Sequence, residues 1–157
     1  MYAVCLQYSK DAHEAQDLLQ EGFVKVFRNL EQFRFLGSFE GWVRRIFVNT
    51  ALENFRSKKL RFTMYNDIEQ QEMLQPDTVI DQLSAENVLQ IIQSLSPQYR
   101  MVFNLYALEG YNHREIADML GINEGTSKSN YSRAKTILQK RVNEWMPHYG
   151  VQEKKQL

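Results

Sequence analysis

Between Thr126 and Lys135 the chain gathers three cations, Lys128, Arg133 and Lys135, among hydroxyl and amide side chains that include Thr126, Ser129, Asn130 and Ser132. No acid occurs between Glu124 and Glu144. Cations in such a stretch meet phosphate oxygens, and Asn130 and Arg133 could offer paired hydrogen bonds to base edges. A second group lies upstream, where Arg45, Asn49, Leu52 and Arg56 repeat at steps of four, three and four with Trp42 beside them. Indole, cation and amide on one line form a platform on which unpaired bases stack while phosphates meet arginine. Each group also has a plainer reading, as a solvated helix face and as ordinary core. Nothing points to catalysis: no nucleophile and base, carboxylate pair or phosphate-cradling glycine loop is evident. His13, His113, His148 and Cys5 do not stand at metal-ligand spacing. No catalytic residue, metal, cofactor or small-molecule substrate is therefore expected.

The first group needs a helix to present it. Asn112 is a good N-cap with Glu115 three residues on, a capping box, and the helix that follows carries Ile116, Ala117 and Leu120 on one face. It should stop at Gly121, where a left-handed backbone costs least. Asn123 can then cap a second helix running to about Val142. Ser127, Tyr131, Ala134 and Leu138 fall at steps of four, three and four and should face its partner, leaving Thr126, Lys128, Ser129, Asn130, Ser132, Arg133 and Lys135 outward or sideways. Two helices around a glycine turn make a helix-turn-helix.

The second group needs a longer helix. Ser38 can cap one from Phe39 to about Lys59, with Phe39, Val43, Ile46, Phe47 and Thr50 as its core stripe. Before it, Asp11 caps a helix to about Leu30, with Ala15, Leu18, Leu19, Val26 and Phe27 mostly inward. Gln32 to Gly37 is a loop in which Phe33 and Phe35 flank Arg34. Leu83 to Leu95 is helical in period, and Ser96 followed by Pro97 starts another helix, which runs to Gly110. Apolar positions recur at three and four rather than two, and only seven glycines and three prolines interrupt them. The expected fold is all-α: two small helical domains, 1–59 and 83–146, a flexible acidic linker over 60–82, and a tail over 147–157.

A formal net charge of zero over 157 residues conceals segregation. Arg44, Arg45, Arg56, Lys58, Lys59 and Arg61 form one basic island and Lys128 to Arg141 another, while the charged residues from Asp67 to Glu86 are all acids. A single cysteine excludes an intramolecular disulfide and suits a reducing cytosol. No apolar run approaches a membrane span, and the N-terminus lacks the marks of a signal peptide, so a cytoplasmic place is expected.

Three runs resemble bacterial RNA polymerase sigma factors of the sigma-70 family, extracytoplasmic-function type. They are DLLQEGFVKVFRNLEQF from Asp17, GSFEGWVRRIFVNTALENFR from Gly37, and LSPQYRMVFNLYALEGYNHREIADMLGINEGTSKSNYSRAKTILQKRV from Leu95. The resemblance implies a promoter-specificity subunit with the family's second and fourth regions. Asp17, Gln20, Glu21, Lys25 and Arg28 would dock on core RNA polymerase. Phe33, Arg34, Ser38, Trp42, Arg45, Asn49 and Arg56 would hold the melted minus-ten strand, one of whose bases flips out. Thr126, Lys128, Ser129, Asn130, Ser132, Arg133 and Lys135 would read the minus-thirty-five duplex. It also implies an anti-sigma factor as partner. Ser127 and Asn130 depart from the valine and arginine usual there, so one cationic contact is lost. Met1 corresponds to the middle of the family's first helix, so part of that helix is expected to be missing. A duplex-only helix-turn-helix regulator, which leaves the Gly37 to Arg56 stripe unexplained, and a helical adaptor whose basic islands bind acidic protein surfaces are the other readings.

Overall fold

The computed structural model describes residues 1–65 and 85–145; the expected linker beyond Tyr65 and the tail after Trp145 lie outside them. The N-terminal part holds α1 (Tyr2–Tyr8), α2 (Ala12–Arg28) and the long α3 (Phe39–Tyr65). The C-terminal part holds α4 (Ala85–Gln93), α5 (Pro97–Phe103), α6 (His113–Leu120) and α7 (Glu124–Trp145). A 3-10 turn at Leu30–Gln32 follows α2, and a π-helical turn at Asn104–Leu108 follows α5. No strand occurs among the described residues.

Most helix starts are chemically marked. The Glu14 N–H donates to Asp11 at 2.8 Å, the Gly41 N–H to the Ser38 hydroxyl at 3.0 Å, and the Tyr99 N–H to the Ser96 hydroxyl at 3.4 Å. Each satisfies one amide that a helix start leaves without an intrahelical partner.

Two helix ends differ from the sequence expectation. α3 continues to Tyr65 instead of stopping near Lys59. Amphipathic period fades after Lys59, yet none of the residues from Leu60 to Tyr65 is Gly or Pro, so no helix breaker stops α3 there. The helix begun at Pro97 leaves α geometry at Phe103: the Glu109 N–H reaches back five residues to the Asn104 carbonyl at 3.1 Å. Such widened turns carry no composition signal.

α2 and α3 approach closely because Gly22 lies against Phe47. A Cβ at position 22 would fall 2.3 Å from a ring carbon of Phe47, itself only 1 % exposed. Val43, Phe47 and Thr50 are buried as the stripe predicts, but Val48, Ala51 and Leu52 are buried too, so α3 is covered on two sides. The second cover is the C-terminal half. Val4, Cys5, Val48 and Leu52 share one apolar cluster with Met101, Val102, Leu105, Ile116 and Leu120. Half-domains of this size have little core of their own, and pooling their apolar faces enlarges it.

Candidate nucleic-acid interface

In the helix-turn-helix the capping box forms in both directions. The Glu115 N–H donates to the Asn112 side chain at 2.9 Å and the Asn112 N–H to the Glu115 carboxylate at 2.8 Å. Gly121 ends α6 with φ 61 and ψ 45, a left-handed cap, and the Thr126 N–H donates to the Asn123 side chain at 2.7 Å to start α7. Local sequence thus sets the turn between the two helices.

The inner face of α7 is wider than expected. Ser127 and Ala134 are wholly buried, Tyr131 is half-buried, and Asn130, placed outward by the sequence reading, is 5 % exposed. The correction is one of helix angle: position 130 is three after Ser127 and four before Ala134, so it shares their side. Its amide nitrogen meets no acceptor within the described residues, and in this arrangement it cannot reach a base edge. His113 and Tyr106 stack at 4.4 Å beside Tyr131, and His113 Nδ1 is hydrogen-bonded to Ser127 Oγ at 3.0 Å. Burial, then the charge of Lys128, lowers the His113 pKa from its ordinary value.

Outward on α7 stand Lys128, Ser129, Ser132, Arg133 and Lys135, with Thr126 half-buried. Lys128 pairs with Glu124 at 2.6 Å, one turn back, and the Ser129 hydroxyl donates to the Thr126 carbonyl at 3.0 Å. Arg133 reaches the Tyr99 hydroxyl at 3.5 Å and otherwise faces solvent. The group therefore offers an exposed cationic strip with one arginine suited to a bidentate contact.

The upstream group is built on a ring of aromatics. Phe33 lies 4.8 Å from Phe35, 5.3 Å from Phe39 and 5.4 Å from Trp42, and Trp42 stacks on Phe39 at 5.8 Å. Beside them a cleft of about 430 Å³ is lined by Phe33, Arg34, Leu36, Ser38, Trp42 and Arg45. Phe35 is held at φ +56 and is 85 % exposed. Left-handed backbone at a bulky residue is rare and costs of order 1 kcal/mol or more, and such strain clusters at binding loops. Positive φ at Phe35 has no signal in the sequence.

The α3 stripe divides. Trp42, Arg45 and Asn49 border the cleft or face solvent, whereas Leu52 is 4 % exposed and Arg56 donates to the Met119 carbonyl at the end of α6. The 4-3-4 spacing keeps these residues within one sector of the helix, but the end of that sector is covered by α6, which no local pattern reveals. Five of the seven strand candidates, Phe33, Arg34, Ser38, Trp42 and Arg45, line the cleft; Asn49 lies a turn further along, and Arg56 is engaged elsewhere.

On α2, Asp17, Gln20 and Arg28 are exposed, while Glu21 and Lys25 are half-buried in a network with Asn54 at 2.8 Å and Glu53 at 2.7 Å on α3. Sequence reasoning placed Phe27 inward; it is 72 % exposed, and Phe23, Val24 and Leu30 are open as well. Ala15, Leu18, Gly22 and Val26 already fill the contact with α3, so the helix carries a second, exposed apolar stripe, of which Phe23 alone touches a ring of α3, edge-on to Phe47. Apolar residues on more than half of the α2 circumference were the available signal.

The family model of sigma-70 region 2 matches residues 1–61, and that of sigma-70 region 4 matches residues 85–138. The chain is 28 % identical over 154 residues to the ECF RNA polymerase sigma factor SigW of Bacillus subtilis, covering 90 % of this chain and 82 % of that one. It is 30 % identical over 148 residues to the RNA polymerase sigma-H factor of Pseudomonas aeruginosa, covering 86 % and 76 %. Among solved structures it is similar to the sigma factor RpoE of Bartonella quintana, crystallised with the anti-sigma factor NepR, at a TM-score of 0.55 and 20 % identity over 90 % of this chain and 89 % of that one. That likeness concerns the fold.

Proposed function

The chain belongs to the sigma-70 family of bacterial RNA polymerase sigma factors, of the extracytoplasmic-function type, and from that membership we propose how its residues divide the work of promoter recognition. It is a promoter-specificity subunit: core polymerase supplies the chemistry, and this chain supplies address and strand opening through binding energy. The observation that carries the residue assignment is the pairing of an aromatic, arginine-rimmed cleft on α3 with an exposed cationic strip on α7.

Lys128, Ser129, Ser132, Arg133 and Lys135 lie along the minus-thirty-five duplex, Arg133 reading a base edge and the lysines meeting phosphates. Phe33, Arg34, Ser38, Trp42 and Arg45 receive a base flipped from the minus-ten non-template strand, with Asn49 next along the strand. Extrusion costs a few kcal/mol, which stacking at about 1–3 kcal/mol per base can offset. Asp17, Gln20 and Arg28, with the exposed Phe23, Val24 and Phe27, form the face toward polymerase. An anti-sigma protein would cover the same apolar residues, so the two partners exclude each other. The chain has no active site of its own in this reading. No helix among the described residues is long and apolar enough to cross a membrane, and work on chromosomal promoters sets the chain in the cytoplasm.

Reconstitution with core polymerase tests the assignment: the complete chain co-purifies with core enzyme and starts transcription at a promoter silent without it. A chain that binds duplex DNA yet never associates with core enzyme would be a conventional regulator instead. Arg133→Ala lowers affinity for minus-thirty-five duplex by about 1–3 kcal/mol and flattens its sequence preference. Unchanged affinity and preference in a duplex titration would remove Arg133 from the reading set.

A further inference from the structure

A cavity of about 500 Å³ opens where the α1–α2 turn, α2, α3 and α5 meet, and it shares no lining residue with the aromatic cleft. Its apolar wall is Leu18, Ala51, Phe55, Pro97 and Met101, of which Leu18, Ala51 and Met101 are each at most 5 % exposed. Arg100 also lines it, and that residue is 4 % exposed. An arginine is almost never buried so completely unless it is paired.

The guanidinium is under-used. Nη1 donates to the Gln93 carbonyl at 2.7 Å, where α4 ends, which accounts for one of its five N–H groups. Asp11 and Glu14 act on it only through space, without a hydrogen bond, and both are engaged elsewhere. Asp11 accepts from the Glu14 N–H at 2.8 Å, while Glu14 accepts from the Lys10 N–H at 2.6 Å and pairs with the Lys58 ammonium. Arginine keeps its charge in proteins, and a buried cation without an ion partner is costly. Among the described residues none supplies the missing anion.

The walls narrow the ligand class. Two N–H groups of one guanidinium match the two oxygens of a carboxylate. A phosphate dianion fits less well, because the Glu14 and Asp17 side chains line the same cavity and repel a second negative charge. Beyond the head group the surface is aliphatic and aromatic, and the volume lies in the range of small-molecule sites.

We propose that this cavity is a ligand site for a monocarboxylic acid with an apolar body, its carboxylate held by Arg100 and its body lying against Leu18, Ala51, Phe55 and Met101. Medium-chain fatty acids and arylalkanoic acids share that chemistry. The site is separate from the promoter contacts and does not depend on their assignment. Asp17, on the face proposed to meet polymerase, also lines the cavity, so a bound acid lies beside a docking residue.

Calorimetric titration of the full chain with decanoate and with 4-phenylbutyrate separates the two sources: saturable one-to-one binding of either supports the site, and the tighter acid names the body it prefers. Decanol, which lacks the charge, should bind about tenfold more weakly than decanoate, the difference that hydrogen bonds to a charged group make. Arg100→Met should lose affinity for the acid about tenfold, and Arg100→Lys, which keeps the charge but not the fork, should fall between. Arg100 also closes the end of α4, so Ala51→Leu supplies an arm that leaves the guanidinium in place: it fills the cavity and should abolish binding without unfolding the chain. A decanoate carrying a diazirine locates the ligand directly in the parent chain, with photolabel expected on the peptides that hold Phe55 and Met101. Label on the outer face of α2, at Phe23 and Phe27, would mean adsorption to exposed apolar surface and overturns the proposal. So do equal affinities for decanol and decanoate, equal affinities in the parent and a folded Arg100→Met chain, or no binding of either acid at millimolar concentration.

Discussion

Gly22→Val is expected to cost the fold about 3 kcal/mol, at the upper end of what overpacking a filled core costs. Carbon atoms of the Phe47 ring would lie 2.3, 2.5 and 2.7 Å from the first added atom. The ring cannot retreat easily, because it is 1 % exposed and meets Phe23 edge-on at 5.3 Å between centroids. α2 and α3 must therefore separate, and with them the support of the aromatic loop that follows α2. Gly22→Ala should cost less, since alanine recovers about 1 kcal/mol of helix propensity lost to glycine. Pairing Gly22→Ala with Phe47→Leu should return part of the loss, a coupling that a double-mutant cycle reads directly. Urea unfolding followed by circular dichroism measures these variants and Phe47→Leu alone; a Gly22→Val chain as stable as its parent would show that the helices yield without cost.

The largest functional effect is expected at Trp42. The indole is half-buried, stacked on Phe39 and tilted over Phe33, so it is held in place before any strand arrives. Preorganised aromatics lose little entropy on stacking a base, and removing one costs about 1–3 kcal/mol, roughly five- to 150-fold in open complexes. Trp42→Ala should reduce permanganate reactivity of the melted region and run-off transcription by such a factor. Binding of a minus-thirty-five duplex fragment, which uses α7, should not change. Equal losses in both assays would mean that Trp42 supports the fold and does not capture the strand.

How much of this could be read beforehand depends on how local the cause is. The Asn112 and Glu115 capping box, the Ser96 cap before Pro97 and the left-handed Gly121 each need only neighbours within four residues, and all three form as the residues suggest. The aromatic loop reads as a strand-binding platform only with the family resemblance beside it, since rings alone also suit an ordinary core. A mid-helix glycine such as Gly22 was a further signal, since it weakens a helix unless something must come close. The misses have other causes. Leu52 and Arg56 were assigned from the pattern of a single helix, and what buries the one and engages the other comes from residues distant in sequence, whereas Asn130 was placed on the wrong side of its own helix. Phe27 was missed for the converse reason: an apolar residue on an amphipathic helix is assigned to the core unless its circumference is already full.

The π-helical turn at Asn104–Leu108 has a consequence that depends on chain length instead of side-chain chemistry. Each α-helical residue advances the azimuth by about 100°, and a widened turn accommodates one residue more. Glu109, the first residue after the turn, is thus set back by about that angle, to where its carboxylate meets Arg44 and Tyr8. Gly110, at φ +77, then breaks the helical path, and α6 and α7 take their bearing from their own packing on α5 and on each other. One residue fewer in this turn would swing the carboxylate away from Arg44, a change of phase in the chain that alters no side chain.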